Sequence, residues 1–180
     1  MNLLAVSGSL REKSSNTAVL RAAALVAPES VLVTLYQCLN DLPHFNPDLD
    51  TEPGPPAVLT FRALVRAADA VIMCSPEYAH GVSGVLKNAL DWLVSSGEFV
   101  NKPIALINAS TRATHAYASL AETLRIMMAV IVPEASITLA LTNPKLEAAD
   151  MAGDPVIASQ LRASIAAITQ LIGSELRHRQ

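Results

Sequence analysis

The stretch over residues 6–16 reads VSGSLREKSSN and comes directly after an apolar run near the N-terminus. It holds one glycine, four serines, one arginine and one lysine, and it ends at Asn16, a residue type that often caps a helix. Small polar residues at such a turn leave backbone N–H groups available, and a helix N-terminus attracts negative charge. Arg11 can form a bidentate, charge-assisted pair with a phosphate. The stretch is therefore a candidate anion site.

The stretch over residues 74–93, CSPEYAHGVSGVLKNALDWL, has the character of a second ligand-facing loop. Pro76 lacks an N–H group, whereas Gly81 and Gly84 allow close approach or unusual backbone angles. Because few bulky side chains precede its helix, its backbone suits the edge of a flat ligand. A phosphate on a stem that carries a planar ring is a mononucleotide, and flavin mononucleotide (FMN) fits this description. Each stretch taken alone is also compatible with a plain turn.

Short apolar runs alternate with helical patterns along the chain, which predicts an α/β protein. The predicted strands are Leu3–Ser7, Val31–Leu35, Ala70–Cys74, Ile104–Asn108 and Ile137–Leu141. The predicted helices are Thr17–Val26, Ala57–Ala68, Val85–Ser95, His115–Ala129 and Val156–Arg177. The expected core residues of the second helix are Leu59, Ala63, Val65 and Ala67. A long loop with five prolines covers residues 40–56, and a loop with Pro144 and Pro155 precedes the last helix.

The strands are continuous apolar runs, as is typical of parallel strands that are buried on both sides. We therefore expect a single flavodoxin-like domain over residues 1–180, a doubly wound five-stranded parallel sheet of order 2-1-3-4-5 with helices on both faces. The order 3-2-1-4-5 remains an alternative. Doubly wound sheets bind ligands at the carboxyl ends of strands where the strand order reverses. In the first order, both candidate loops meet at that point and support each other.

Composition and missing motifs exclude several classes of protein. A net charge of −3 argues against a basic nucleic-acid-binding face. The motifs G-x-G-x-x-G, G-x-x-x-x-G-K-[ST] and G-x-S-x-G are absent, which disfavours a dinucleotide fold, a P-loop NTPase and a serine hydrolase. No Cys/His pair has zinc-site spacing, so we expect no metal site, and we expect Cys74 to be a core thiol. The N-terminus is too short and too quickly polar for a secretory signal, and the chain has no apolar span of about 20 residues, which predicts a soluble cytoplasmic protein with no membrane partner.

At the two loops the sequence resembles the NAD(P)H-dependent FMN reductase family, which includes quinone- and chromate-reducing relatives. The family pattern G-S-L-R-x-x-S-x-N is complete over residues 8–16. The pattern P-E-Y-N-x-x-x-P-G-x-L-K-N-A-x-D-W matches residues 76–92, with Ala79 in place of Asn and Ser83 in place of Pro. The family often has glycines in the loop after the fourth strand, where this chain has NASTRATHA over residues 108–116.

The resemblance implies a set of flavin-binding residues. The phosphate is expected to be held by Ser9, Arg11, Ser14, Ser15 and Asn16. The ring is expected to be lined by Pro76, Glu77, Tyr78 and Gly81. In the loop over residues 108–116, the side chains expected at the flavin are Ser110, Thr111 and Arg112. No catalytic residue is expected, because the flavin carries the hydride chemistry while the protein positions it.

The expected function is an FMN-dependent oxidoreductase that passes a hydride from NADPH or NADH through bound FMN to a flavin, quinone or other small acceptor. A flavodoxin-like electron carrier and a non-catalytic flavin-binding protein are the alternatives. Two predicted helices are apolar over more than one face, which predicts a homodimer or tetramer unless the chain itself covers them. The residues behind that expectation are Trp92, Leu93, Ile126, Met127 and Met128.

Overall fold

The computed structural model describes residues 1–143 and 145–178, so that Pro144 of the predicted loop lies outside the described residues. The strands are β1 (Asn2–Ser7), β2 (Leu32–Tyr36), β3 (Ala70–Cys74), β4 (Glu77–Tyr78), β5 (Gly81–Val82), β6 (Pro103–Asn108), β7 (Val130–Ile131) and β8 (Ile137–Thr138). The α-helices are α1 (Ser15–Val26), α2 (Pro56–Ala67), α3 (Gly84–Asp91), α4 (Thr114–Ile126), α5 (Ala148–Gly153) and α6 (Pro155–His178). Short 3-10 helices cover Leu39–Asp41, Pro47–Leu49 and Pro133–Ala135.

The central sheet has the order β2-β1-β3-β6-β7, and all neighbouring strands in it are parallel. The flavodoxin-like order 2-1-3-4-5 is thus confirmed, with β6 as the fourth strand, and the alternative 3-2-1-4-5 is wrong. Every residue of β3 and β6 is buried, as the continuous apolar runs predicted. One core lies between the sheet and helices α1, α5 and α6, and the other lies between the sheet and helices α2, α3 and α4.

The fifth strand position is shared by two short segments, so the prediction of one strand over Ile137–Leu141 is wrong in its bounds. Both β7 and β8 pair with β6, and a 3-10 turn separates them. At this break Leu106 N donates to Ser136 Oγ at 3.1 Å, and Ser136 Oγ donates to Val132 O at 2.8 Å. The serine hydroxyl therefore replaces the backbone partner that a continuous strand would have supplied to β6.

Several observed helix bounds differ from the predicted ones. The cap of α1 is Ser14 rather than Asn16, because Thr17 N donates to Ser14 Oγ at 3.4 Å. Helix α3 ends at Asp91 rather than at residue 95, and helix α4 ends at Ile126 rather than at residue 129. Helix α5 lies in a region where no helix was predicted.

The buried face of α2 differs from the predicted one. Its buried residues are Val58, Phe61 and Val65. Of the predicted core residues only Val65 is among them, and Leu59 is 41% exposed. Apolar residues occur on most faces of this helix, so their spacing alone did not identify the face that packs against the sheet.

One helical segment, Pro155–Ser174, is long and apolar enough to cross a membrane by length and composition alone. This differs from the expectation that the chain has no such run. The indication is weak, since core helices pass the same test. Here Leu161, Ile165 and Ile168 are buried in the core on one face of the sheet.

Candidate functional site

The two candidate loops touch at Gly8, directly after β1. Gly8 N donates to Cys74 O at 2.8 Å, which joins the first loop to the end of β3. A Cβ atom at Gly8 would lie 2.6 Å from Ser75 Oγ and 2.9 Å from Ser83 Oγ, closer than real Cβ contacts. Glycine is therefore required here by the close approach of the second loop. Ser83 is buried, and its Oγ has no hydrogen-bond partner among the described residues.

Residues 8–14 form a loop, called here the phosphate loop, that is shaped by bonds from backbone N–H groups to serine hydroxyls. Ser9 N donates to Ser7 Oγ, and Arg11 N donates to Ser9 Oγ, both at 3.3 Å. Ser7 Oγ also shares a hydrogen bond of 2.7 Å with Thr17 Oγ1, which ties the loop to α1. None of the first-turn residues 15–18 is acidic, so the positive end of α1 is left for an external anion.

Asn16 is buried in the first turn of α1 rather than at its cap. The Cys74 thiol donates to Asn16 Oδ1 at 3.2 Å, across 58 residues of sequence. In the described part of the chain, Asn16 Nδ2 has no protein partner, and it can donate to a ligand. Burial raises the pKa of Cys74 to about 12, so the thiol keeps its proton and its donor role at neutral pH. The expectation that Cys74 is a core thiol is confirmed.

The second loop forms an antiparallel hairpin of β4 and β5 rather than a plain loop. Its two turn residues, Ala79 and His80, have φ values of 48° and 60°. Two left-handed residues between short antiparallel strands are the signature of a type I′ turn, which usually contains Asn or Gly. The His80 ring stacks on that of His115 with centroids 4.2 Å apart, so the hairpin tip rests on the start of α4.

Glu77 also connects the hairpin to α4. The N-cap residue of α4 is Ala113, whose methyl side chain cannot accept a hydrogen bond. Ala116 N in the first turn instead donates to Glu77 Oε2 at 2.8 Å. The carboxylate thus neutralises the positive end of α4 from outside the helix.

The loop between β6 and α4 is held by the buried side chain of Asn108. Asn108 Nδ2 donates to Ala113 O at 3.0 Å, and Ser110 N donates to Asn108 Oδ1 at 3.1 Å. Arg112 N donates to Ser110 Oγ at 3.2 Å. These bonds keep the loop compact and turn the exposed guanidinium of Arg112 toward the same edge of the sheet as the other two loops.

The three loops enclose a cleft of about 310 Å³ at the carboxyl ends of β1, β3 and β6. All of the predicted site residues line it except Gly81, which lies in the hairpin strand β5, and Thr111. Residues on the cleft wall that the sequence reasoning did not name are Ser75, Asn108, Ala109 and Ala113. Asn108 carried a usable signal, because it is a polar residue at the end of the fourth apolar strand.

Comparison with known structures supports the same fold. FerB, described as a flavoenzyme NAD(P)H:(acceptor) oxidoreductase from Paracoccus denitrificans, matches with a TM-score of 0.72. The match covers 94% of this chain and 97% of that chain at 23% sequence identity. At this identity the likeness shows the fold alone.

Sequence relatives and a family model identify the family. An NAD(P)H-dependent FMN reductase of Pseudomonas aeruginosa is 40% identical over 112 residues, which are 61% of this chain and 60% of that protein. "Probable NADPH:quinone oxidoreductase 2" of Oryza sativa subsp. japonica is 48% identical over 95 residues, which are 51% of this chain and 47% of that protein. The aligned part thus spans about half to three fifths of the length of these relatives. The model of one family, described as NADPH-dependent FMN reductase, matches residues 1–143. The chain belongs to the NADPH-dependent FMN reductase family.

Proposed function

We propose that this chain is an FMN-dependent oxidoreductase that takes a hydride from NADPH or NADH and reduces a small acceptor such as a quinone or a free flavin. Family membership supports this proposal. The observation that carries it is the open positive end of α1, which faces a cleft next to Arg11 and opposite the hairpin. An anionic group with a flat ring attached fits that arrangement.

The residues on the cleft wall fit the two ends of FMN. At one end, hydroxyl groups, the free amide nitrogen of Asn16 and the guanidinium of Arg11 form a donor set that suits a phosphate. The hydroxyl groups belong to Ser9, Ser14 and Ser15. At the other end, Pro76 and Tyr78 provide backbone and ring surface.

The role of the chain would be to bind and orient FMN and to leave the flavin ring accessible to substrates. Bound FMN would supply the chemistry by accepting a hydride from reduced nicotinamide and then giving two electrons to the acceptor. The Tyr78 side chain is 53% exposed, and its neighbours Ala79 and Gly81 are small. The hairpin therefore leaves space for two planar substrates to use the same cleft in turn, which predicts ping-pong kinetics.

Anaerobic mixing of the FMN-loaded protein with NADPH or NADH tests this function. We expect the oxidised flavin absorbance to disappear without any protein partner, and we expect double-reciprocal plots with a quinone to be parallel. Dithionite reduction of the same sample is the control that its flavin can be reduced in place. If dithionite bleaches the flavin but neither nicotinamide does, the function is wrong and the flavodoxin-like electron carrier takes its place.

We also propose a homodimer, or a tetramer built from it, through an apolar patch of Ile126, Met128 and Val130 at the sheet edge. Ile126 and Met128 are 76% and 61% exposed. Trp92 and Leu93, which the sequence reasoning also assigned to this interface, are instead buried within the chain. The Trp92 indole N–H donates to a backbone carbonyl of the long loop at 2.8 Å, so that loop covers part of the expected face.

Light scattering during gel filtration measures the oligomer. The native protein should elute as a dimer or tetramer, and Ile126→Lys should shift it to a monomer. Leu25→Lys is a matched control, because Leu25 is 63% exposed on α1, away from the patch. A monomeric native protein at micromolar concentration would contradict the proposal.

We propose a cytoplasmic location and no nucleic-acid or membrane partner. Both Cys38 and Cys74 are free thiols, which suits a reducing compartment. Fractionation of the source cells, with the protein followed by its bound flavin or by an antibody, measures the location. Recovery with the membrane pellet after a salt wash would contradict it.

A further inference from the structure

A second cavity of about 580 Å³ lies on the other side of the phosphate loop, at the carboxyl ends of β1 and β2. Its volume is within the range of about 300–1,000 Å³ that is typical of ligand pockets. Ser9 and Arg11 line both this cavity and the FMN cleft. A ligand that passes over the phosphate loop could therefore occupy both spaces.

The cavity has two arginines and one acidic side chain on its wall. Arg11 comes from the phosphate loop, and Arg21 comes from α1, one helical turn after Thr17. Both arginines are exposed, and neither forms an ion pair with the side chains described over residues 1–143 and 145–174. Glu12 supplies the acidic group, which can accept hydrogen bonds from hydroxyls. The wall thus suits an anion that also carries hydroxyl groups.

The rest of the wall suits a flat base with polar edges. Apolar surface comes mainly from Leu10, which is 49% exposed, and the half-buried Leu35 and the buried Leu39 lie on the same wall. Gln37 and Asn40 add amide groups that can both donate and accept hydrogen bonds. A heteroaromatic base fits this combination, because its faces are apolar and its edges are polar.

We propose that this cavity binds the phosphorylated adenosine end of NADPH, with Arg21 on the 2′-phosphate. The inference rests on the proposed function, since it requires reduced nicotinamide to use the adjoining cleft. The 2′-phosphate is the group by which NADPH differs from NADH, and a guanidinium pairs with phosphate in a bidentate manner. Arg21 is therefore the residue that makes the protein prefer NADPH. Arg11 and Arg21 are too far apart in the sequence for the sequence alone to identify them as parts of one site.

The preference for NADPH measures the role of Arg21. We expect Arg21→Ala to lower the ratio of kcat/KM for NADPH to that for NADH by about 10- to 100-fold, the scale of a lost bond to a charged group. Arg162→Ala is the matched control, because Arg162 is exposed on α6 and lines neither cavity. Its ratio should stay at the native value. A native ratio in Arg21→Ala would overturn the inference.

Calorimetry of the FMN-loaded protein gives a second readout that needs no turnover. We expect 2′,5′-ADP to bind more tightly than 5′-AMP, and we expect Arg21→Ala to remove the difference. Inorganic phosphate that binds as tightly as 2′,5′-ADP would reveal a general anion site and overturn the inference. A native protein whose flavin is bleached equally well by NADPH and NADH would also overturn it while leaving the proposed function intact. Failure of both nicotinamides to bleach the flavin would instead defeat the proposed function.

Discussion

Two helix N-termini lie at the same cleft, and the chain treats them in opposite ways. Helix α1 is capped by its own Ser14 and has no acidic residue over residues 15–18. Helix α4 starts at an alanine cap and receives the carboxylate of Glu77 from the hairpin at 2.8 Å. One positive end is left free beside Arg11, and the other is already neutralised.

Of these two helices only α4 has a carboxylate at its N-terminus, and a helix N-terminus that no carboxylate occupies attracts external anions. This difference gives the cleft a direction. In the proposed function the phosphate of FMN lies at α1, and its ring lies on the side that Glu77 and the loop over residues 108–113 enclose. The five predictions that follow test this contrast and the elements around it, starting with the largest expected effect.

Replacing Arg11 should remove a charged partner from the free helix end. We expect Arg11→Ala to weaken FMN binding by about 1.5–3 kcal/mol, because hydrogen bonds to charged groups have this magnitude. Arg112→Ala is the matched comparison at the neutralised helix, and we expect a smaller loss there. Fluorescence titration of apoprotein with FMN and with riboflavin measures both. Equal losses for the two ligands in Arg11→Ala would show that Arg11 does not bind the phosphate.

Replacing Glu77 should uncap the other helix. We expect Glu77→Ala to lower the free energy of unfolding by about 0.5–2 kcal/mol, the usual cost of a lost N-cap. Glu77→Gln should lose less, because its amide oxygen can still accept the bond from Ala116 N. Urea denaturation of the apoprotein measures the change. Glu29→Ala, at an exposed carboxylate, is the control and should unfold like the native protein; an equal loss there would remove the case for a special role of Glu77.

Replacing Cys74 should loosen Asn16 at the free helix end. We expect Cys74→Ala to weaken FMN binding by about 0.5–1.5 kcal/mol, the magnitude of a typical hydrogen bond, since Asn16 loses the donor that orients it. Cys38→Ala, at the exposed thiol, should bind FMN as the native protein does. Unchanged binding in Cys74→Ala would show that the thiol does not position Asn16.

The native protein and Cys74→Ala should also differ in how their free energy of unfolding responds to alkaline pH. Burial raises the pKa of Cys74 to about 12, above its value in the unfolded chain. The folded state therefore holds this proton more tightly, and the thiol's contribution to stability is complete below the unfolded pKa and is lost as pH rises toward 12. The stability of the native protein should fall relative to Cys74→Ala above about pH 8.5, as measured by urea denaturation. A constant difference would contradict the shift.

Relieving the hairpin turn should have the smallest effect. Ala79 has a φ of 48°, a left-handed conformation that an L-residue adopts at a cost and that Asn tolerates better. We expect Ala79→Asn to raise the free energy of unfolding by less than about 1 kcal/mol. Ala79→Gly should gain less, because glycine also gives the unfolded chain more freedom. Thermal unfolding measures both, and a loss of stability in Ala79→Asn would argue against the strain.

The elements that the sequence predicted well are those whose signal is contiguous. Each buried parallel strand is one apolar run, so β1, β3 and β6 were placed within a residue or two. The phosphate loop is also a single stretch, and its residues Ser9, Arg11 and Ser14 line the cleft. Missed elements had no such signal: β7 is two residues long, and the hairpin turn uses Ala79 and His80 in place of the usual turn residues.

The sequence by itself determined the alternation of the main strands and helices along the chain, the position of the phosphate loop and the chemical character of its side chains. Only the tertiary structure decided which distant groups meet. It places Glu77 on the backbone of Ala116 and brings Arg21 to the same cavity as Arg11. The physical reason is that strand and loop signals depend on neighbouring residues, whereas these contacts depend on the sheet. Parallel pairing brings the carboxyl ends of distant strands to one edge of the sheet. At that edge the N-terminus of α4 receives the carboxylate of Glu77, whereas the N-terminus of α1 does not have one.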